Sequence, residues 1–270
     1  MGLLFIAGAN TMSCHITHQT FGHGQARAFV LSPVMPVWDQ GAFAGPLIEH
    51  FIRSGHQVTV FDSLSLPAVP DECFSGFAER WADALEPWGV PDVLVGVALG
   101  GALAQALAGI SFLSVTPALL LLSSPSKADA LLDARLGRMA DLAEQGHVRQ
   151  AKRLLDELVL PEGQAHAEQD RFDTETDALL APQGRRLVRG FRLLDGVNIS
   201  ERLCDYEGRV LSVFGGKSQL VGADHVLRTK GNNQHSLCVI DGGMRPLTDD
   251  LRRVLEGIDR FLIRAPELAK

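Results

Sequence analysis

The chain has 270 residues, of which 46% are hydrophobic and 21% are charged, and its formal net charge is −7. These values describe a globular protein that is long enough for one large α/β domain, or for one such domain with an inserted lid. The negative charge gives no support to nucleic-acid or anionic-membrane binding, which usually shows a basic excess, and no apolar run reaches the roughly 20 residues that span a bilayer.

The amino-terminal stretch GLLFIAGA is short and soon turns polar, so it predicts a strand over Leu3–Ala7 rather than a signal peptide. The chain has four cysteines, which are scattered without a CxxC pair. Scattered thiols are typical of a reduced cytoplasmic protein, and a zinc site would need clustered Cys and His. We therefore expect a cytoplasmic protein with no metal and no cofactor.

Short apolar runs then alternate with amphipathic segments. Strands are predicted at 14–20, 26–32, 58–62, 93–97 and 118–123, and helices at 46–54, 72–88 and 99–109. Residues 125–205 lack strand patterns and are interpreted as several helices. Strands resume at 209–216 and 236–243, and a last amphipathic helix is predicted over Pro246–Ile263. The pattern predicts an α/β protein with a doubly wound sheet, whose core domain is formed by 1–124 and 206–270 and whose helical cap is inserted at 125–205.

The segment 93–109, VLVGVALGGALAQALAG, has the pattern of a strand, a glycine turn and a helix. In the motif G-x-S-x-G a nucleophilic serine occupies such a turn, whereas here the central residue is Ala98. With the order of strands and the cap, this segment resembles the α/β-hydrolase superfamily over nearly the whole chain. The resemblance implies an α/β-hydrolase fold with an eight-stranded, mostly parallel sheet.

The resemblance also implies a Ser/acid/His triad, and each of its positions is occupied by another residue type in this chain. Ala98 stands at the serine position, Ser218 at the acid position after the seventh strand, and Met244 at the histidine position after the eighth. A shifted register leaves Asp224 open as an acid, but no histidine follows the last strand. Three replacements favour natural loss of the triad over an engineered inactive hydrolase, whose single change would be at the serine.

Ligands of open α/β sheets bind at the carboxyl ends of the strands, and this rule nominates the site residues. The superfamily's oxyanion hole would use the backbone N–H groups of Leu99 and Val34. The predicted substrate-binding residues are Val34, Trp38, Ala98, Leu99, Ser124, Ser218 and Met244. The predicted catalytic residues are Asp39, Asp241 and Arg245, although each could instead cap a loop or form a surface ion pair.

Other polar residues allow two interpretations. Asp62 follows a strand and is either a turn former or a site residue. The cap carries His147, His166 and a cluster of four arginines, which could meet an anionic substrate but is more typical of a solvated helix face. The cluster comprises Arg185, Arg186, Arg189 and Arg192.

Two classes of function fit these features. The first is a non-hydrolytic enzyme that orients a hydrophobic polyfunctional small molecule for cyclisation, carbon–carbon bond formation, elimination or isomerisation, in bacterial natural-product biosynthesis. The second is a binding protein, such as a sensor, carrier or stabilising partner, that kept the pocket without chemistry. In both cases the expected partner is a small molecule rather than a nucleic acid or a membrane, and the oligomeric state stays open.

Overall fold

The computed structural model describes residues 16–165, 177–203, 206–226 and 235–263. The predicted strand Leu3–Ala7 and the cap residue His166 lie outside these ranges.

The described residues form one sheet of seven strands. In chain order the strands are β1 (His18–Phe21), β2 (Ala26–Leu31), β3 (His56–Phe61), β4 (Val93–Val97), β5 (Ala118–Leu122), β6 (Arg209–Gly215) and β7 (His235–Ile240). Their order in the sheet is β1-β3-β2-β4-β5-β6-β7. Only β1 pairs antiparallel, against β3, so the prediction of a mostly parallel sheet is confirmed. Eight strands were predicted, and the one that falls outside the described ranges is the first, Leu3–Ala7.

The central strands are covered on both faces. All five residues of β5 are buried, as are the first four residues of β4. Uninterrupted apolar runs of this kind are typical of parallel strands that have helices on both sides of the sheet. The centre of the sheet therefore provides a rigid base for the loops that follow β4 and β5.

Helices cover the two faces and form a separate layer beyond the sheet. They are α1 (Gly45–Arg53), α2 (Phe74–Leu85), α3 (Leu99–Ile110), α4 (Ala130–Glu144), α5 (Val148–Leu158), α6 (Asp177–Leu193), α7 (Pro246–Asp249) and α8 (Leu251–Ile263). Helices α1 and α8 pack on one face of the sheet, and α2 and α3 pack on the other. Helices α4, α5 and α6 lie between β5 and β6 in the sequence and pack against one another.

Two predicted helices end differently in the structure. The predicted helix over 72–88 is α-helical only over Phe74–Leu85, and a 3-10 turn containing Pro87 follows it. The single helix predicted over Pro246–Ile263 is two helices separated by Asp250, whose extended backbone (φ −150°, ψ 64°) interrupts the helix. The Asp250 carboxylate accepts a hydrogen bond from Arg253 N at 3.2 Å, which is the capping arrangement that starts a new helix.

Candidate functional site

The turn between β4 and α3 has the backbone geometry of a nucleophile elbow, although its central residue is Ala98. Ala98 adopts φ 47° and ψ −111°, a conformation that is strained for any residue with a Cβ. Its N–H donates to Leu122 O at 3.0 Å, and its carbonyl oxygen accepts from Gly101 N at 3.0 Å. The chain therefore holds Ala98 in place between β4 and β5.

Two glycines make this turn sterically possible. A Cβ added at Gly96 would lie 2.3 Å from Gly101 Cα, and one added at Gly100 would lie 2.2 Å from Leu31 O. Side chains at these positions would push α3 away from β2 and β4. The glycine spacing quoted from the sequence thus has a local physical cause that is independent of any serine.

The two backbone donors predicted for an oxyanion hole are the N–H groups of Leu99 and Val34. Among the described residues, neither Leu99 N–H nor Val34 N–H makes a hydrogen bond to the protein. Leu99 is fully buried and begins α3, so its N–H also lies at the positive end of the helix dipole. Buried backbone N–H groups are rarely left unpaired, which makes this donor a candidate for binding a ligand oxygen.

An apolar cavity of about 480 Å³ lies between the sheet and the cap, next to Ala98. Its wall combines the carboxyl ends of β4 and β5, the segments that follow β2, β5, β6 and β7, and the cap helices. Four of the predicted site residues line it: Val34, Ala98, Met244 and Arg245. A cavity of this size and lining suits a small hydrophobic molecule.

Four predicted substrate-binding residues are not among those that line the cavity. The Leu99 side chain is packed in the core, and Trp38 is partly buried against the apolar cluster on the sheet face covered by α1 and α8. Ser124 Oγ donates to Gly96 O at 3.2 Å and to Leu122 O at 3.0 Å, so this hydroxyl ties β4 to β5. Ser218 Oγ accepts from Leu220 N and Val221 N, which fixes its own loop.

The predicted catalytic residues Asp39 and Asp241 are also not among the lining residues. The Asp39 carboxylate accepts from Gly41 N at 3.0 Å and from Phe43 N at 2.8 Å, which is a loop-capping role. Asp241 is exposed and pairs with Lys217 at 2.7 Å, and this hydrogen bond lowers the pKa of the Asp241 carboxyl. The alternative Asp224 is exposed in a 3-10 turn. The structure therefore does not bring these carboxylates together with Ala98.

The ionisable groups of the cavity wall come mainly from α5, where sequence reasoning assigned no site residue. Lys152 and Asp156 both line the cavity, and Asp156 Oδ1 lies 3.3 Å from Arg245 Nη2. Lys152 Nζ donates to Gln183 Oε1 at 3.1 Å. The spacing of the two residues was a usable signal, since positions i and i+4 share one face of a helix.

Met244 joins the loop after β7 to the end of the cap helix α5. Its N–H donates to Val159 O at 3.0 Å, and its side chain packs against the large apolar cluster. The neighbouring Gly243 allows this approach, because a Cβ there would lie 2.7 Å from the Leu160 carbonyl carbon. The loop after β7 therefore presents an apolar side chain to the cavity.

The four arginines of the α6 cluster have different roles. Arg186 and Arg189 are partly buried and donate to residues of the core rather than forming a solvated face. Burial is the main cause that lowers the pKa of Arg189. Arg192 pairs at the surface with Asp141 and Glu144, and Arg185 is exposed. The remaining cap residue, His147, precedes α5 and donates its N–H to Leu142 O.

The described ranges contain neither a candidate metal site nor a candidate membrane-spanning helix. No group of three or more His, Cys, Asp or Glu side chains there could hold a metal ion. None of the helices described is long and apolar enough to cross a membrane.

Solved structures match this chain across most of its length, whereas no protein-family model matches it and no curated protein matches its sequence. MGS-M2, an alpha/beta hydrolase enzyme from a Medee basin deep-sea metagenome library, aligns with a TM-score of 0.74 at 12% identity, covering 93% of this chain and 95% of its own. A bromoperoxidase from Bacillus anthracis gives 0.72 at 14% identity, covering 92% and 95%. An enol-lactonase from Burkholderia xenovorans LB400 gives 0.69 at 12% identity, covering 92% and 96%. The chain therefore has the α/β-hydrolase fold.

Proposed function

We propose that this chain is a non-hydrolytic enzyme that acts on a hydrophobic small molecule carrying a carbonyl oxygen, without forming a covalent intermediate. The observation that carries the proposal is the elbow, which keeps a strained backbone and a buried, unpartnered N–H at Leu99 while presenting a methyl group at Ala98. Strain of this kind persists where the surrounding structure enforces it, often at a functional site. Here the elbow can supply a hydrogen-bond donor and no nucleophile.

The cavity supports the class of substrate. Its wall is largely apolar, and its volume of about 480 Å³ suits a compact molecule of a few rings or a medium-length chain. In the proposed complex the substrate carbonyl accepts hydrogen bonds from Leu99 N–H and Val34 N–H. Preorganised donors of this type stabilise the negative charge that an oxygen gains on enolisation.

The proton transfer is assigned to the pair on the cavity wall. Asp156 is the only carboxylate among the described lining residues, and it lies beside Arg245, which the sequence predicted as catalytic. In the proposed reaction the Asp156 carboxylate removes a proton from the carbon next to the carbonyl, and the electron pair moves onto the carbonyl oxygen as an enolate. Return of the proton elsewhere gives isomerisation, loss of a leaving group gives elimination, and attack on a second carbonyl gives cyclisation or carbon–carbon bond formation.

A second candidate is a binding protein without catalysis. It is favoured by the exposure and pairing of the cavity-wall carboxylate, because the Asp156 side chain is 50% exposed and already paired with an arginine. Solvent and the guanidinium of Arg245 therefore compete with a ligand for contact with this carboxylate. The two candidates share the cavity and the two N–H donors, and they differ in whether a bound ketone loses a proton.

In the proposed organisation, residues 1–124 and 206–270 form the core domain and 125–205 form the cap that covers the cavity. The proposed setting of the reaction is bacterial natural-product biosynthesis, where polyfunctional carbonyl compounds are substrates for cyclisation. Helices α4, α5 and α6 support the organisation, because all three are contributed by the segment between β5 and β6.

A deuterium-exchange experiment separates the enzyme from the binding protein. The probe is a dimethylaminonaphthalene ethyl ketone incubated with the protein in heavy water, and mass spectrometry measures deuterium uptake at the carbon next to the carbonyl. The enzyme predicts exchange well above the buffer rate, which Asp156→Asn removes without weakening binding. Asp241→Asn, which changes an exposed carboxylate away from the cavity, is the matched control and should exchange normally. Binding without exchange would favour the second candidate.

A further inference from the structure

Arg186 of the cap helix α6 makes three hydrogen bonds to the core. Arg186 donates from Nη1 and Nη2 to the two oxygens of Asp62 at 3.0 and 2.8 Å. Its Nε donates to Met35 O at 3.0 Å, in the loop that follows β2. The planar guanidinium thus connects α6 to two different loops at the carboxyl ends of strands.

The Asp62 carboxylate is held in a fixed position. Its side chain is only 3% exposed, and Oδ1 also accepts from Leu64 N at 3.1 Å. The neighbouring Ser63 N donates to Ser32 Oγ at 3.0 Å, which ties the loop after β3 to the loop after β2. The charge pair therefore acts between α6 and a rigid part of the core.

The same face of α6 contacts the loop residue that carries the second candidate donor. Gly190 lies one turn after Arg186, and a Cβ added there would be 2.7 Å from both methyl groups of Val34. Val34 is the residue whose N–H has no acceptor among the described residues. Two residues of the cap helix α6 thus restrain this loop, since Arg186 holds Met35 and Gly190 holds Val34.

We propose that the Asp62–Arg186 pair is a positioning device that sets the orientation of Val34 N–H and makes the carbonyl site depend on the docked position of the cap. This inference rests on the proposed carbonyl site. In the docked state Arg186 fixes Met35 O and Gly190 fixes the Val34 side chain. The Pro33–Val34 peptide, which directly precedes these two anchor points, then presents the Val34 N–H toward a ligand oxygen. When the pair is broken, α6 no longer constrains this loop and the second hydrogen bond to the ligand is lost.

A second anchor on the same helix provides a matched control. Arg189 donates to Leu66 O at 2.5 Å and to Glu72 Oε2 at 3.2 Å. The acceptors that the structure gives for Arg189 lie at residues 64–72, and none is in the 33–36 loop. Loss of this anchor should loosen the cap without releasing Val34.

The test compares the wild type with Asp62→Asn, Arg186→Lys and Glu72→Gln. The probes are the dimethylaminonaphthalene ethyl ketone and dimethylaminonaphthalene lacking the ketone, titrated by fluorescence. The ratio of their affinities measures the hydrogen bonds to the carbonyl, because the aromatic parts are identical. The emission maximum of the ketone is a second readout, since a carbonyl that accepts hydrogen bonds emits at longer wavelength.

We expect Asp62→Asn and Arg186→Lys to lower the ketone preference by about fivefold, the contribution of one hydrogen bond, and to shift the ketone emission to shorter wavelength. The affinity for the carbonyl-free probe should stay within about twofold. Glu72→Gln should keep the wild-type ratio although it loses thermal stability. Arg186→Lys keeps the positive charge. If Asp62→Asn does not fold, the ratio of probe affinities in Arg186→Lys tests the positioning role.

An unchanged ratio in the folded variants at positions 62 and 186, or an equal drop in Glu72→Gln, would overturn the positioning role and leave the carbonyl site intact. A wild type that shows no ketone preference would remove the carbonyl site itself, and the positioning role with it.

Discussion

The backbone of Ala98 is held at φ 47° and ψ −111°, where a residue with a Cβ is strained by about 1–3 kcal/mol. In a hydrolase this strain presents a serine hydroxyl to the substrate. Here the same turn presents a methyl group to an apolar cavity and leaves Leu99 N–H unpaired within the described residues. The backbone strain at Ala98 therefore serves to present the Leu99 N–H donor rather than a reactive side chain.

Ala98→Gly should stabilise the protein. The change relieves most of the strain, and the greater freedom of glycine in the unfolded chain offsets about 0.5–1 kcal/mol of the gain, which leaves a net increase of about 1 kcal/mol in the free energy of unfolding. Ala104→Gly, in the regular part of α3, is the control and should destabilise by about 1 kcal/mol or more. Chemical denaturation measures both, and a loss of stability in Ala98→Gly comparable to the control would show that the turn is not strained.

Individual residues differ in how far the sequence could predict them. The elbow was visible because its glycines, strand and helix are contiguous in the chain. The Asp62–Arg186 pair was not predicted, because its members are 124 positions apart and only the packing of α6 on the core brings them together. Asp39 and Asp241 were nominated correctly as residues after strands, but their side chains are used by a local cap and a surface ion pair.

At the scale of elements, α3 shows how closely this fold packs a helix on its sheet. Glycines at its first turn allow the helix backbone to approach β2 and β4, where a Cβ would overlap main-chain atoms. By contrast, Gly137 in the cap helix α4 has no heavy atom within 4 Å of the position that a Cβ would take. Glycine is therefore sterically required in the first turn of α3, whereas the packing around Gly137 in α4 leaves room for a side chain.

Gly100→Ala and Gly137→Ala should have opposite effects on stability. A Cβ at Gly100 would lie 2.2 Å from Leu31 O, so α3 must move and the expected loss is about 3 kcal/mol or more, or failure to fold. Gly137→Ala should gain about 0.5–1 kcal/mol, since alanine favours the helix and meets open space. Thermal unfolding of the pair tests this contrast, and similar effects from both changes would argue against the close approach of α3.

The start of the cap is fixed by Asp129, whose carboxylate accepts from Leu132 N at 2.7 Å and caps α4. This hydrogen bond lowers the pKa of Asp129 below 3.8. Because the folded-state pKa is depressed, the stabilisation is complete above the unfolded-state value and is lost as the pH falls through the folded-state value. Asp129→Ala should cost about 1 kcal/mol at neutral pH, whereas Asp129→Asn, which keeps an acceptor, should cost much less. Equal losses in the two variants at neutral pH would exclude the cap as the cause.

Element ends were harder to predict than element types. Apolar periodicity marks where α2 and the last helical region lie, but the periodicity continues past Pro87 and Asp250 while the backbone does not. Both interruptions depend on one residue that alters the backbone conformation locally. In the cap, the sequence indicated helices without their boundaries, because only residues 145–147 separate the end of α4 from the start of α5.

At the scale of the whole molecule, the cavity lies where the rule for open α/β sheets places ligands, at the carboxyl ends of the strands. That rule nominated Ala98, Met244 and Arg245, which line the cavity, and also Leu99 and Trp38, which are not among the lining residues. It could not predict Lys152 and Asp156, because they reach the cavity from the cap, whose placement depends on long-range contacts such as those of Arg186. The polar side chains of the site therefore come together only when the cap packs on the core.

The central claim, that a ligand carbonyl is held by backbone donors without covalent attachment, is tested most directly by isotope-edited infrared spectroscopy. The measurement uses the wild-type protein and the dimethylaminonaphthalene ethyl ketone labelled at its carbonyl carbon. The account predicts one narrow carbonyl band at lower frequency than in a hydrocarbon solvent, because the oxygen accepts hydrogen bonds from fixed N–H groups. A band at the hydrocarbon frequency, or loss of the carbonyl band through formation of a covalent adduct, would contradict it.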